Sequence, residues 1–326
     1  MKVILYGAPV VPFAGELPPR LTTDWEIVNV DDRTPRDAAT AAFADADAVI
    51  TVDYGREFPP APKMKMVHVP GAGCDGILTD ALPAGAALCN VHRHEEGVAE
   101  FAILAMLQCC VRYIAACQSF RNGSWERSSR FGAPPHAELS SKTVGIVGLG
   151  RIGRMVAKRC KAFGTRIVAA EYFDIAKPDE VDELYRFGEV AKVAAQSDFL
   201  VVCCALTDET RGMIDAAVFD AMPSSGVLIN IARGPLVDED ALYEALSTGK
   251  IAAAAIDVWY QYPDTLNAGV RPSKYPFQDM ANVYMTPHIA GWTQETVRRR
   301  WDFIAENLDR VARGEEPENI VFRKPL

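Results

Sequence analysis

The chain has 326 residues, 49% apolar and 24% charged, which is long enough for two domains with sizeable cores and carries no signature of disorder. Its net charge of −9, with no basic run beyond the short Arg298–Arg300 cluster, argues against nucleic acid as a partner. Eight cysteines make no CxxC and no Cys/His spacing suited to zinc, so they read as small apolar core residues of a reducing compartment, and no metal is expected.

The N-terminal MKVILYG runs directly into strand-like sequence without the apolar region and cleavage site of a signal peptide, and the chain is read as cytoplasmic. Short apolar runs at Val3–Tyr6, Glu26–Val30, Ala48–Val52, Met66–Val69 and Ala87–Val91 predict strands of a small α/β domain, with Asp37–Phe43 as one of its helices. The turn Pro70–Asp75, with Ala72 and Gly73 at its centre, is either a plain turn or a set of backbone N–H groups for a small anion. HRHEEG follows, placing His94 and Glu95 just before a long helix. Glu95 and Glu96 there either favour the helix dipole or belong to a loop that contacts substrate. Gly97–Phe120 is the most apolar long segment, but Glu100, Gln108 and Arg112 interrupt it short of the ~18 apolar residues of a membrane span. It predicts a buried or subunit-contacting helix, and no membrane is expected.

After a polar connection at Arg121–Ser141 comes TVGIVGLGRIG, Thr143–Gly153, a β-branched strand entering glycines at 148, 150 and 153. A helix over Arg154–Phe163 and a second apolar strand ending on Glu171 complete the unit. GxGxxG alone is weak evidence; strand, glycine turn, helix, strand and terminal acid together indicate a dinucleotide site. Gly148 permits the tight turn, Gly150 lets backbone approach a pyrophosphate, and Gly153 lets helix and strand pack closely. Glu171, eighteen residues beyond Gly153, suits an adenosine ribose 2′-OH. A 2′-phosphate ~4 Å away would be repelled by roughly 4 kcal/mol per charge pair at an effective dielectric of ~20, and Tyr172 and Phe173 bring no arginine to offset it. NAD is therefore expected over NADP.

Ala176–Phe187 reads as helix or loop, Asp198–Cys204 as a buried strand, and Thr207 and Thr210 bracket a turn. A helix at Ala216–Met222, a strand at Val227–Ile231 ending in Ala232 and Arg233, a helix at Asp238–Leu246 and a strand at Ile251–Val258 carrying Asp257 continue the alternation. This predicts a doubly wound parallel sheet whose C-terminal strand ends deliver Arg233 and Asp257 to the cofactor crevice. A loop from Tyr262 to Pro276, a strand at Val283–Thr286 and the sequence PHIAGWT lead to a helix from near Thr293 with an apolar stripe at Val297, Trp301, Ile304, Leu308 and Val311. That helix and the tail are expected to rejoin the first domain. The substrate domain is then discontinuous, residues 1–94 and 293–326, with the nucleotide domain, 95–292, inserted. Arg233 could grip a carboxylate bidentately and His288 could exchange a proton near neutrality, although both types are also common as structural residues at strand ends.

The ordered set GLGRIG, LTDETRG at Leu206–Gly212, INIARGPLVDEDAL at Ile229–Leu242, AIDVW at Ala255–Trp259 and TPHIAGWT at Thr286–Thr293 resembles the D-isomer-specific 2-hydroxyacid dehydrogenase family over almost the whole chain. GAGCD at Gly71–Asp75 and VAE at Val98–Glu100 are similar to its substrate-domain signatures. The resemblance implies an α/β enzyme with a Rossmann domain inserted in a smaller flavodoxin-like domain, and a homodimer built through the nucleotide domains. It implies a D-2-hydroxy acid and its 2-oxo acid as substrates, Arg233 as carboxylate anchor, His288 as acid/base and Asp257 near the nicotinamide carboxamide. The implied cofactor contacts are Gly148, Gly150, Arg151, Ile152, Gly153, Glu171, Leu206, Thr207, Thr210, Ile231, Ala232, Arg233, Asp257, His288, Ala290 and Gly291. Substrate contacts are expected from Ala72, Gly73, His94, Glu95 and Trp292. The chain departs from the family at Tyr262, twenty-nine residues after Arg233, where a glutamate usually orients the histidine. Tyr262 is expected to take that place as the hydrogen-bond partner of His288. Formate oxidation without a proton relay, or a non-catalytic NAD-binding regulator, are the alternatives. Trp259, Tyr260 and Trp292 suggest an aromatic rim to the pocket.

Overall fold

The computed structural model describes residues 1–31, 33–263 and 269–325, and it divides into two compact units, Met1–Arg93 with Gln294–Leu326, and His94–Thr293. Part of the loop expected from Tyr262 to Pro276, residues 264–268, lies outside the described residues.

In the first unit β1 (Lys2–Tyr6), β2 (Glu26–Val30), β3 (Ala48–Ile50), β4 (Met66–His68) and β5 (Ala87–Cys89) form a parallel sheet in the order β2-β1-β3-β4-β5, and Ile320–Arg323 adds antiparallel to β5. Strand side chains alternate between faces. Val3 and Leu5 therefore enter one core, with Trp301, Ile304 and Leu308 of the helix Gln294–Ala312, while Ile4 enters the other, with Phe43 of α1 (Arg36–Ala44). The same C-terminal helix carries the buried Asn307, whose amide donates to His68 Nε2 and whose oxygen accepts the Glu318 N–H. Burial pushes the His68 imidazole down to about 4.

The second unit holds seven parallel strands in the order β12-β11-β10-β9-β6-β7-β8. They are β6 (Thr143–Val147), β7 (Arg166–Glu171), β8 (Glu183–Arg186), β9 (Phe199–Val202), β10 (Val227–Asn230), β11 (Ala253–Ile256) and β12 (Val283–Met285). Strands β9 and β10 are buried throughout, as a parallel sheet covered on both faces requires. The crossover helices are α4 (Arg151–Ala162), α5 (Val190–Ala195), α6 (Ala216–Ala221) and α7 (Glu239–Ser247), the last three shorter than a typical globular helix; before them come α2 (Glu95–Val111) and α3 (Tyr113–Arg121).

Three elements differ from expectation. Strand β8 occupies a stretch read as helix or loop; as a half-exposed edge strand, its ELYR sequence has no apolar run to announce it. The helix expected over Gly97–Phe120 breaks at Arg112, whose φ of 56° is left-handed, and the Gln108 side chain accepts the Ile114 N–H across the break. Helix α4 starts at Arg151 rather than Arg154, so its first turn includes the last glycine of the motif. Among the described residues no single helix is long and apolar enough to cross a membrane; α2 and α3 together have that length and composition but are bent by 55°.

Candidate active site

The glycine turn after β6 is built by backbone alone. Gly148 has φ +97°, and a Cβ there would lie 2.8 Å from Cys204 Cα; a Cβ on Gly153 would lie 2.0 Å from the Gly148 carbonyl oxygen. Gly150 differs, because a Cβ there would have nothing within 4 Å. That open space lies at the N-terminus of α4, where Gly150 caps the helix without a side chain and the first N–H groups, at Arg151, Ile152 and Gly153, point outward. Open space, helix dipole and bare backbone fit a pyrophosphate.

Glu171 closes β7 and is 7% exposed. One carboxylate oxygen accepts the Leu149 N–H from within the glycine turn; the other accepts the N–H groups of Tyr172 at 2.9 Å and Phe173 at 3.2 Å. A carboxylate has about four lone-pair sites, so about one is left for a ribose hydroxyl. In the loop after β9, the hydroxyl of Thr210 accepts the Thr207 N–H and donates to Ala205 O, and Thr207 Oγ1 accepts the Thr210 N–H. These two side chains shape the loop that carries Leu206.

The turn Ile231–Ala232–Arg233 leaves β10 in an extended conformation, with Arg233 Nη1 donating to the Ala232 carbonyl. Sequence reasoning missed the group that fixes it. Asn230, 2% exposed, donates to the Arg233 carbonyl at 2.9 Å and accepts the Ala232 N–H at 3.2 Å, bracing the turn from inside. Gly234 then passes so close to Trp259 that a Cβ would meet its carbonyl carbon at 2.4 Å. The signal in the sequence was the Asn three residues before the Arg, a spacing at which an Asx side chain can reach back to its own turn.

His288 stands in the turn after β12 with φ +59°. Asp257, 1% exposed at the end of β11, holds this turn: Oδ1 accepts from the Thr286 hydroxyl at 2.6 Å and the Ile289 N–H at 2.8 Å, and Oδ2 from the Ala290 N–H at 2.9 Å. The Tyr262 hydroxyl lies 3.0 Å from His288 Nδ1 and accepts the Trp259 N–H at 3.1 Å. Trp259 and Tyr260 do not form a rim. The Trp259 ring is buried and its indole N–H donates to the Thr286 carbonyl, while the Tyr260 hydroxyl donates to the Val237 carbonyl; Trp292 alone of the three is exposed. Beyond His288, Ala290 is buried, and Gly291 packs on α2: a Cβ there would meet Val98 at 3.2 Å and His94 at 3.5 Å. His94 and Glu95 therefore open a helix that leans on the segment leaving His288.

Ala72 and Gly73 belong to the first unit, in the turn after β4. There the buried Asn90 amide donates to the Ala72 carbonyl at 2.8 Å, and the Val91 N–H to that of Gly71. No disulfide joins any of the eight cysteines, and burial pushes the thiols of Cys89, Cys109, Cys160 and Cys204 up to about 12. Among the described residues no group of three or more His, Cys, Asp or Glu is placed to hold a metal ion.

The family model described as "D-isomer specific 2-hydroxyacid dehydrogenase, NAD binding domain" matches residues 103–290. The chain is 35% identical over 266 residues to a D-3-phosphoglycerate dehydrogenase of Methanocaldococcus jannaschii, covering 80% of this chain and 48% of that one. It thus spans about half the length of the D-3-phosphoglycerate dehydrogenases it matches. It is 32% identical over 290 residues to a mouse glyoxylate reductase/hydroxypyruvate reductase, covering 89% of this chain and 81% of that one. Its fold is similar to a solved 2-hydroxyacid dehydrogenase from Ketogulonicigenium vulgare, with a TM-score of 0.81, 26% identity and coverage of 99% and 98%. Solved structures of the same fold include complexes with NAD and with NADP. With the family pattern running over more than half of its length and relatives above 30% identity over most of it, the chain belongs to the D-isomer specific 2-hydroxyacid dehydrogenase family.

Proposed function

We propose that the chain interconverts a D-2-hydroxy acid and its 2-oxo acid with NAD, Arg233 anchoring the substrate carboxylate and His288 acting as acid/base through Nε2. The observation that carries this reading is the Tyr262 hydroxyl 3.0 Å from His288 Nδ1, in a turn clamped by Asp257. A partner on Nδ1 orients the ring and turns Nε2 outward for a substrate oxygen. A bound nicotinamide supplies the hydride in reduction and accepts it in oxidation.

In reduction, Arg233 presents a planar fork that matches a carboxylate, and the imidazolium of His288 gives its Nε2 proton to the oxygen as charge develops there. Throughout, Nδ1 keeps its proton and donates it to Tyr262. The phenol oxygen has two lone pairs, one for Nδ1–H and one for the Trp259 N–H, so the tyrosine can support either protonation state of the ring without carrying charge. NAD is favoured over NADP because Glu171 sets a buried carboxylate where a 2′-phosphate would lie. Ala72, Gly73, His94, Glu95 and Trp292 are proposed to face substrate. We further propose a homodimer, supported by the exposed apolar side chains of Tyr113, Ile114, Phe120, Trp125 and Phe131, all within 113–131 of the second unit. Eight cysteines without a disulfide fit a reducing compartment.

The test is NADH and NADPH oxidation across a panel of 2-oxo acids, with formate-driven NAD reduction alongside. Turnover with NADH on at least one acid is expected, falling about 10³-fold or more in Arg233→Ala and in His288→Ala. Cofactor binding without turnover on any acid, or near-normal rates in both variants, overturns the reading.

A further inference from the structure

We propose that Glu239 is a positioning residue for the reaction, holding Tyr262 on His288 by fixing the chain that returns at Pro272; this rests on the acid/base role proposed for His288 above. Past β11 three successive main-chain N–H groups are committed to that arrangement. Trp259 donates to the Tyr262 hydroxyl at 3.1 Å, and Tyr260 and Gln261 both donate to the Pro272 carbonyl, at 3.2 and 3.1 Å. A carbonyl oxygen has two lone pairs, so this pair of donors fills it. The place of Pro272 therefore decides where the backbone hands on to Tyr262, whose hydroxyl lies 3.0 Å from His288 Nδ1.

Glu239 sets that place. Its Oε1 accepts the Ser273 hydroxyl at 2.6 Å and the Lys274 N–H at 2.9 Å, from the two residues that follow Pro272. Ser273 is 3% exposed, and a hydroxyl so far from water needs an acceptor; a carboxylate makes both bonds charge-assisted. The tether continues for one more residue, where the Tyr275 N–H donates to the Ser273 hydroxyl at 3.0 Å and the Tyr275 ring stacks on Tyr243 of α7 with centroids 4.1 Å apart. Glu239 is the first residue of α7, and Asp238, which caps that helix, comes directly after the turn that Arg233 begins. From the other side the Tyr260 hydroxyl donates to the Val237 carbonyl in the same turn, at 3.1 Å. The start of α7 thus joins the turn of Arg233 to the segment that presents Tyr262 to His288.

The experiment is a double-mutant cycle on kcat and KM for NADH-dependent reduction of glyoxylate, hydroxypyruvate or pyruvate, whichever the wild type turns over fastest. Glu239→Ala should lower kcat by about tenfold and change KM by less than about twofold, because a misplaced partner of His288 harms the transition state more than binding. In the Tyr262→Phe background, where no hydroxyl is left to aim, Glu239→Ala should lower kcat by less than about twofold. Glu239→Gln keeps the accepting oxygen and should hold kcat within about threefold of wild type. Ser273→Ala removes one of the two donors and should cost about threefold in kcat, again only with Tyr262 present; it decides the matter where Glu239→Ala does not fold. An unchanged kcat, or equal losses with Tyr262 and with Tyr262→Phe, makes Glu239 part of the scaffold alone and overturns the proposal while leaving the dehydrogenase reading intact. Absence of wild-type turnover on all three acids, within a broad panel that also fails, removes both.

Discussion

Two of the turns that place the second unit in left-handed backbone, those after β6 and β12, reach it by opposite means. After β6, Gly148 adopts φ +97° without a side chain to strain, and the turn is shaped by what its residues lack. After β12, His288 adopts φ +59° while carrying an imidazole, a conformation uncommon outside glycine and mildly favoured by Asn, Asp and His. Asp257 offsets that strain, its carboxylate accepting three hydrogen bonds from residues 286, 289 and 290. The first turn leaves open space at a helix N-terminus; the second presents a side chain from a strained backbone. Strain held in this way by the surrounding structure is in keeping with the role proposed for His288.

Breaking the first turn should give the largest effect. In Gly148→Ala the new Cβ would lie 2.8 Å from Cys204 Cα, with a further cost for L-residue backbone at φ +97°. Together these amount to about 3–5 kcal/mol, which should lower the melting temperature by about 10 °C and abolish measurable NADH binding by fluorescence titration. A variant with wild-type melting and NADH affinity would show that the turn tolerates a side chain.

Breaking the second turn should spare folding more than chemistry. Asp257→Asn keeps the shape, but its amide would face the Ala290 N–H with a second donor, costing about 1–3 kcal/mol at the turn that aims His288. The expected outcome is a fall of about 100-fold in kcat, with a smaller change in KM for the 2-oxo acid, because a misaimed acid harms the transition state more than binding. Equal losses in kcat and thermal stability with an unchanged pH profile would instead mark Asp257 as part of the scaffold alone.

The same contrast explains what could be read in advance. Gly148, Gly150 and Gly153 were legible because the conformations they allow are local properties of the residues, and the parallel alternation followed from buried runs such as FLVV and VLIN. The anchoring of Arg233 by Asn230 and of the His288 turn by Asp257 was not legible. The second joins residues about thirty positions apart, and periodicity carries no information on which buried carboxylate meets which backbone N–H. Trp259 and Tyr260 were misplaced on the rim for a related reason: an aromatic beside a cleft has the same local sequence whether it faces in or out, and only the packing of Gly234 against Trp259 decides it. Strand β8 was missed because its partner, β7, supplies the pairing that its own residues do not advertise.

The smallest change, and the one that sharpens the comparison most, exchanges the neutral partner of His288 for a charged one. Tyr262 Oη accepts the Trp259 N–H and sits at hydrogen-bond distance from Nδ1, but it brings no negative charge to the ring. A carboxylate at this place stabilises imidazolium relative to imidazole and so raises the pKa of the histidine. In the proposed mechanism reduction of a 2-oxo acid needs the protonated ring, so its rate is present below that pKa and lost above it. Oxidation of the hydroxy acid would need the neutral ring and have the opposite dependence. Tyr262→Glu should therefore shift the falling limb of reduction, and the rising limb of oxidation, to higher pH by about one unit. The shift should appear in kcat/KM, which reports the free enzyme. If both limbs stay where they are in the wild type, the group that tunes His288 is not the one bonded to Nδ1, and the turn held by Asp257 would have to set the proton's affinity as well as its direction.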